Sequence, residues 1–213
     1  MGDPTGPATA PDATASAKNT LRADIRVARA RRTEDDRRRD AEALAQQALQ
    51  RYGRAAVVAA YASYGTEPGT SQLRASLRSA GVRVLLPVVR GDQLAWVVDV
   101  GADLARGGER GMPEPDGAAI GVGAGALVAA QCTVLLLPAL AAGLDGVRLG
   151  QGGGFYDRLL TELPTYPAGP LRVAVVHDDE VLPTGAVPAQ PHDLDALVDE
   201  VLTPSSGPDA HQA

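Results

Sequence analysis

One cysteine, one tryptophan, one phenylalanine and two methionines are all that the 213 residues hold of those types. With Cys132 alone, no internal disulfide can form and no cysteine-rich metal site can be assembled. Cys132 stands in the apolar run "CTVLLLP" and reads as a small buried hydrophobe. No apolar run approaches the roughly 18 residues of a membrane span, so no membrane partner is expected. Positive charge is also short. Twenty Lys and Arg against 26 Asp and Glu leave a net charge of -6, which argues against nucleic acid as a partner. The opening "MGDPTGPATAPDATASA" lacks the basic start and apolar centre of a secretory signal, so the expected setting is cytoplasmic. Its Ala, Pro, Thr and Asp content reads as a disordered tail over residues 1–16, and residues 205–213 read the same way.

What remains, residues 17–204, is one domain's worth of chain, and a body of this size buries roughly 70% of its unfolded surface. "NTLRADIRVARARR" predicts a helix over 19–32 with Leu21, Ile25 and Ala28 on one face. Thr33 and Asp36 have the spacing of a capping box and open a second helix, which Gly53 closes. The arginines of both helices read mostly as a solvated face paired with acids. "AAVVAAYA" is a continuous apolar run of strand length, and Thr70 is placed to cap a short helix through Leu73 and Leu77. "VRVLLP" and "LAWVVDV" read as two further strands, the second antiparallel to its neighbour, and residues 101–125, including "GVGAG", read as loop. "CTVLLLP" is the most buried strand candidate. After it come a long loop, the helix "FYDRLLTEL" stopped by Pro164, the strand "LRVAVV", and "LVDEVL" as strand or helix. Apolar strands alternating with helices imply an α/β fold: a three-layer, Rossmann-like single domain with a central, mostly parallel sheet and helices on both faces. Ligands bind such sheets at the carboxyl ends of strands.

The loop after "CTVLLLP" ends in "RLGQGGGFYDR", with four glycines in five positions from Gly150 to Gly154. Without Cβ atoms, these residues let backbone amides approach a bulky anion, and a helix beginning just after them adds unpaired N–H groups. A phosphate cradle is the favoured reading over a merely mobile loop. It lacks the Lys-Ser/Thr ending of a P-loop. Arg148 and Arg158 flank it with positive charge. Asp157 fits two roles equally: a magnesium ligand working with substrate phosphates, or an acid stabilised at a helix N-terminus.

From Pro138 to Arg158, "PALAAGLDGVRLGQGGGFYDR" resembles the hallmark of the 5-formyltetrahydrofolate cyclo-ligase family, a proline-led loop running into R-L-G-x-G-x-G-Y/F-Y-D-R. "KNTLR" at Lys18–Arg22, "YASYGTEPGTSQL" from Tyr61, and "HDLDALVDEVLTP" from His192 resemble three further family segments in the same order. The resemblance implies ATP- and Mg2+-dependent cyclisation of 5-formyltetrahydrofolate to 5,10-methenyltetrahydrofolate, with release of ADP and phosphate. Phosphorylation of the formyl oxygen would make a reactive imidate phosphate, which N10 attacks as phosphate leaves. The substrate partner would be the folate, polyglutamylated or not, and the protein a monomer or homodimer.

Carried over position by position, the resemblance makes Arg148, Tyr156 and Asp157 catalytic. It assigns ATP binding to Lys18, Asn19, Thr20, Leu21 and Arg22, and to Arg148, Leu149, Gly150, Gln151, Gly152, Gly153, Gly154, Phe155 and Tyr156. Folate binding falls to Tyr61, Ala62 and Glu67, with Gln151 to Phe155 shared, and magnesium to Asp157 and Asp193. A carboxylate at Glu67 suits the adjacent N–H donors of a pterin edge. Trp96 lies where the family often has a folate-facing apolar residue, although core packing is the commoner fate of such a side chain. The chain departs from the family's P-G-L-A-F-D at Ala139, Ala142 and Gly143, and the lost aspartate leaves its work to Asp145 or to water. Two other readings accompany this one: a folate- or nucleotide-binding family member without turnover, and a sugar-phosphate isomerase of similar fold.

Overall fold

The computed structural model describes residues 10–105, 112–189 and 197–206. Five strands form the parallel part of a seven-stranded sheet: β1 (Val57–Ala59), β2 (Arg83–Arg90), β5 (Val134–Pro138), β8 (Leu171–Val175) and β10 (Glu200–Leu202). Two more, β3 (Gln93–Val98) and β4 (Ala119–Val122), extend it antiparallel, giving the order β10-β8-β5-β1-β2-β3-β4. A small second sheet joins β6 (Ala141–Gly143) to β7 (Arg148–Leu149) and β9 (Val181–Leu182). The expected three-layer α/β fold with a mostly parallel sheet is the fold observed.

Why the strands read as unbroken apolar runs is visible in the packing. Val58, Val84, Leu86, Leu136 and Val173 face one layer, formed by α2 (Glu34–Tyr52) and α3 (Ser71–Ser79). Ala59, Leu85, Leu135, Leu137 and Ala174 face the other, formed by α4 (Gly123–Ala129) and α5 (Phe155–Glu162). A strand buried on both faces has no polar side to show, so period-2 alternation disappears from its sequence. Burying each such side chain stabilises the fold by about 1.5–3 kcal/mol before ordering costs. The helix α1 (Ala10–Ala30) lies apart from these layers and packs Ile25 and Leu21 against Leu140, Leu149 and Val187 around the small sheet.

Several expectations change. The first helix begins at Ala10, inside the segment expected to be a disordered tail. Alanine, which gave that segment its tail-like composition, is also the strongest helix former, and Pro11 is tolerated in a first turn whose N–H groups have no partner anyway. Ala28 is exposed; Arg29, one residue on, is buried. Its Nε and Nη2 donate to both oxygens of Glu180 at 2.6 and 2.7 Å, and Nη2 also reaches the Ala139 carbonyl at 2.7 Å. This arginine therefore does not belong to the solvated face. "GVGAG" is not loop: Gly121 and Val122 end β4, and Gly123 to Gly125 open α4. "LVDEVL" resolves to strand β10. At the close, Ser205 and Ser206 are not tail, because Ser205 donates to the Asp178 carboxylate and Ser206 Oγ accepts from Thr203 N. The capping box is present, with Thr33 Oγ1 accepting from Asp36 N at 3.1 Å and Asp36 accepting from Thr33 N.

Candidate active site

Strand order reverses between β1 and β5: the chain leaves β1 for β2 on one side and returns through β5 on the other. A crevice opens at the carboxyl ends on either side of such a switch point, and it is where ligands enter open α/β sheets. A cleft of about 290 Å³ sits there. Tyr61 and Ala62, just past β1, and Pro138, ending β5, form its base, and Gly150 to Asp157 form one side. Pro87, Val89 and Leu94 from the β2–β3 pair, with Met112, make an apolar wall.

The glycine loop earns its composition at particular positions. Gly152 has φ +97° and Gly154 φ +71°, backbone conformations that L side chains rarely adopt. Gly150 is needed for another reason: a Cβ there would lie 2.8 Å from Arg148 Nη1. Gly154 also serves as N-cap of α5 and, having no side chain, leaves backbone alone at the loop end of the helix.

Arg148 is buried at 2% exposure. Its Nη1 donates to the Pro138 carbonyl at 3.0 Å, and its Nη2 pairs with Asp157 Oδ1 in the first turn of α5. The guanidinium thus ties the end of β5 to the start of α5, directly under the glycine loop. Arg22 braces the loop from outside, donating Nε to the Gly150 carbonyl at 2.9 Å and Nη1 to Asn19 Oδ1 at 3.0 Å. Arg26 adds bonds to the Gln151 carbonyl and side-chain oxygen at 3.2 and 3.1 Å. Arg158 stands against the loop as expected, its Nη1 2.8 Å from where a Cβ on Gly154 would be. It donates to the Asp92 carbonyl in the β2–β3 turn at 2.9 and 3.1 Å and lies 5.1 Å from the Phe155 ring.

Glu67 hangs in the loop after β1, which Thr70 holds in shape. Thr70 makes no cap bond to α3. Its Oγ1 donates to the Tyr61 carbonyl at 2.7 Å and accepts from Ser63 N at 3.1 Å, stapling the loop's two ends. Glu67 accepts from Tyr64 N at 2.9 Å, and Gln151 Nε2 reaches it at 3.5 Å across the cleft. Burial raises the Glu67 carboxyl above its ordinary range, partly offset by the Tyr64 N–H. Burial, with Glu67 nearby, also raises the phenols of Tyr61 and Tyr156 far above neutrality, so both stay protonated hydrogen-bond donors.

Of the positions named from sequence, Tyr61, Ala62, Glu67, Arg148, Gly150 to Gly154 with Gln151, and Phe155 to Asp157 line one cleft. The α1 residues do not line it. Lys18 is buried at 7% exposure. Thr20 Oγ1 donates to the Ser16 carbonyl, and Leu21 packs into the core around the small sheet. Leu149 is fully buried, with its backbone paired to Leu140. Trp96 is core, donating Nε1 to the Gly123 carbonyl at 3.2 Å. Asp193 lies outside the described residues. Among the described residues no group of three His, Cys, Asp or Glu side chains is arranged to hold a metal ion. A magnesium ion carried on phosphates asks for less, one or two carboxylates, and Asp157 beneath the loop fits that donor set.

Asp145 occupies the space beside Gly143. Its Oδ1 sits 2.2 Å from where a Cβ on residue 143 would be, and the carboxylate accepts from Gly185 N at 2.8 Å and Val147 N at 3.3 Å. It braces the small sheet and does not line the cleft. The apolar wall and Glu114, which shares the cleft, were not singled out from sequence; the flanking prolines in "MPEP" were the available signal for Glu114.

A model of the 5-formyltetrahydrofolate cyclo-ligase family matches residues 14–204. A 5-formyltetrahydrofolate cyclo-ligase from Mycolicibacterium smegmatis is 39% identical over 155 residues, covering 70% of this chain and 74% of that protein. Among solved structures, the 5,10-methenyltetrahydrofolate synthetase of Aquifex aeolicus superposes with a TM-score of 0.70 at 25% identity, covering 89% of this chain and 90% of its own. The fold alone is shared with a 5,10-methenyltetrahydrofolate synthetase from Mycoplasma pneumoniae, at TM-score 0.65 and 18% identity over 88% and 98% of the two chains. Among the described residues no helix is long and apolar enough to cross a membrane.

Proposed function

Because the chain belongs to the 5-formyltetrahydrofolate cyclo-ligase family, we propose that it closes 5-formyltetrahydrofolate to 5,10-methenyltetrahydrofolate at the expense of ATP. The observation that carries this reading is the glycine loop: its left-handed Gly152 and Gly154 and its crowding onto Arg148 shape bare backbone beside a cleft that also holds Glu67.

The formamide oxygen attacks the γ-phosphorus of ATP, the bond to the bridging oxygen breaks, and ADP departs. N10 then adds to the formyl carbon and loses its proton, and the former formyl oxygen leaves within inorganic phosphate as the ring closes. Such transfer needs positioning and charge neutralisation far more than covalent help. In this chain the loop amides and the start of α5 face the phosphates, while Arg148, locked by Asp157 and Pro138, supplies positive charge that cannot drift. Arg22 holds the loop's first turn through the Gly150 carbonyl. Asp157 would hold magnesium, whose charge would offset that of the phosphates.

Glu67 accepts the pterin's paired N–H donors, and the phenols of Tyr61 and Tyr156 stay protonated beside it. The apolar wall of Pro87, Val89 and Leu94 covers the ring and keeps water from the activated carbon. Mixing the protein with 5-formyltetrahydrofolate and MgATP tests the reading. The near-UV band of the methenyl product grows only with both substrates present. No band from well-folded protein overturns it.

A further inference from the structure

A third carboxylate, beside those of Glu67 and Asp157, stands in the cleft with no part in the chemistry above. Glu114 sits between Pro113 and Pro115, whose rings restrict the backbone on both sides. Its main chain is pinned by reciprocal bonds with Ala105, at 2.8 Å for Ala105 N to Glu114 O and 3.1 Å for the reverse. The carboxylate is therefore presented on a stiff, doubly anchored backbone. Oε2 accepts from Arg90 Nη1 at 3.5 Å. Oε1 is buried, and no group among the described residues donates to it. A buried acceptor without a donor is rare in folded chains, and Glu114 lines the cleft, so a ligand N–H there can complete its carboxylate.

The rest of that side of the cleft offers nothing polar. Val89, Leu94 and Met112 are apolar, and Pro87 has no N–H to give. The complementary ligand is thus a flat, largely apolar body with N–H groups at two separate places, one for Glu67 and one for Glu114. A pterin's amino edge supplies the first as a pair of adjacent donors. A reduced pterin has a further ring N–H away from that edge, which the fully oxidised ring lacks.

We propose that Glu114 is a second substrate-binding carboxylate, accepting the ring N–H present only in reduced folates, and so selects the reduced ring. The proposal rests on the folate reading above. Two variants separate its components. Glu114→Leu removes the acceptor and keeps the volume in an apolar wall; Glu114→Gln keeps an oxygen and removes the charge.

The test is calorimetry of the full chain with 5-formyltetrahydrofolate and, separately, with folic acid, alongside melting curves and steady-state kinetics. For Glu114→Leu the expected result is at least about tenfold weaker binding of 5-formyltetrahydrofolate, the loss of a hydrogen bond to a charged group. Folic acid affinity and the KM for MgATP stay within about twofold, because neither ligand brings that N–H. Glu114→Gln falls between, weaker by about threefold, since a neutral acceptor makes a weaker bond than a charged one. Should the leucine variant not melt cooperatively, the glutamine variant decides, and wild-type affinity there overturns the proposal. Equal affinity of Glu114→Leu and wild type for the reduced folate also overturns it, as does an equal loss for both folates. A wild-type protein that takes up no 5-formyltetrahydrofolate removes the folate reading together with this one. Wild-type uptake with unaffected variants removes the role of Glu114 alone.

Discussion

Replacing Gly150 by alanine puts one methyl group against the centre of the site. The added Cβ would lie 2.8 Å from Arg148 Nη1, where ordinary contact begins at 3.4 Å, so something must move by roughly half an ångström. The side chain that must move is not free to do so cheaply. Arg148 is 2% exposed, its Nη1 bonded to the Pro138 carbonyl at 3.0 Å and its Nη2 to Asp157. Retreat of the loop instead strains the Arg22 bond to the Gly150 carbonyl at 2.9 Å. Overpacking of this kind costs about 1–3 kcal/mol of stability. For a chain of this length that lowers Tm by roughly 2–4 °C per kcal/mol. Catalysis suffers more, because a misplacement of about 1 Å in a positioned charge costs about a hundredfold in rate. Half of that displacement predicts a fall in kcat of about tenfold or more, with the fold intact. The assay is steady-state formation of the methenyl product beside a melting curve, with Gly125→Ala as control. Gly125 is in α4, nothing lies within 4 Å of a Cβ there, and alanine in a helix is favoured by about 1 kcal/mol. Wild-type kcat in Gly150→Ala would refute the claim that the loop is glycine-built to seat Arg148.

Other outcomes follow from the same geometry. Arg148→Ala, which removes the locked charge under the loop, reduces turnover to background while the chain still melts cooperatively; ordinary activity in a well-folded variant dismisses its role. Burial raises the Glu67 carboxyl, so as pH falls the free enzyme loses early the carboxylate proposed to bind the pterin. The acid limb of kcat/KM for the folate then lies above the ordinary glutamate value of 4.5, and Glu67→Gln abolishes that limb while lowering kcat/KM. Arg29→Met strands the buried Glu180 and costs about 3–5 kcal/mol, whereas adding Glu180→Met restores most of it; a double variant no more stable than the single contradicts this. Trp96 is fully buried away from the cleft, so its emission is blue-shifted and reports unfolding in denaturant titrations.

What the sequence made legible was whatever local chemistry decides. The capping box at Thr33 and Asp36 and the unbroken apolar strands needed no partner to be recognised. The run from Arg148 to Asp157 was equally legible, because left-handed turns and close approach to a guanidinium leave little besides glycine. What stayed hidden depends on elements distant in the chain. Arg29 looks like every other surface arginine until Glu180, 151 positions away, is folded against it. Thr70 has the spacing of a cap, yet Tyr61 and Ser63 compete for its hydroxyl and win. Arg158 reads as loop-flanking charge and stands there, but its tie to the β2–β3 turn through the Asp92 carbonyl has no sign in the sequence. The apolar wall of the cleft is ordinary strand sequence, so nothing in it announces a ligand.

The central claim is that this site moves a phosphoryl group onto the formyl oxygen. Turnover of substrate carrying 18O in the formyl group, followed by mass analysis of the released phosphate, tests it most directly. Each inorganic phosphate is expected to carry one labelled oxygen, formed one for one with the methenyl product. Unlabelled phosphate, with the heavy oxygen recovered in water, would contradict it.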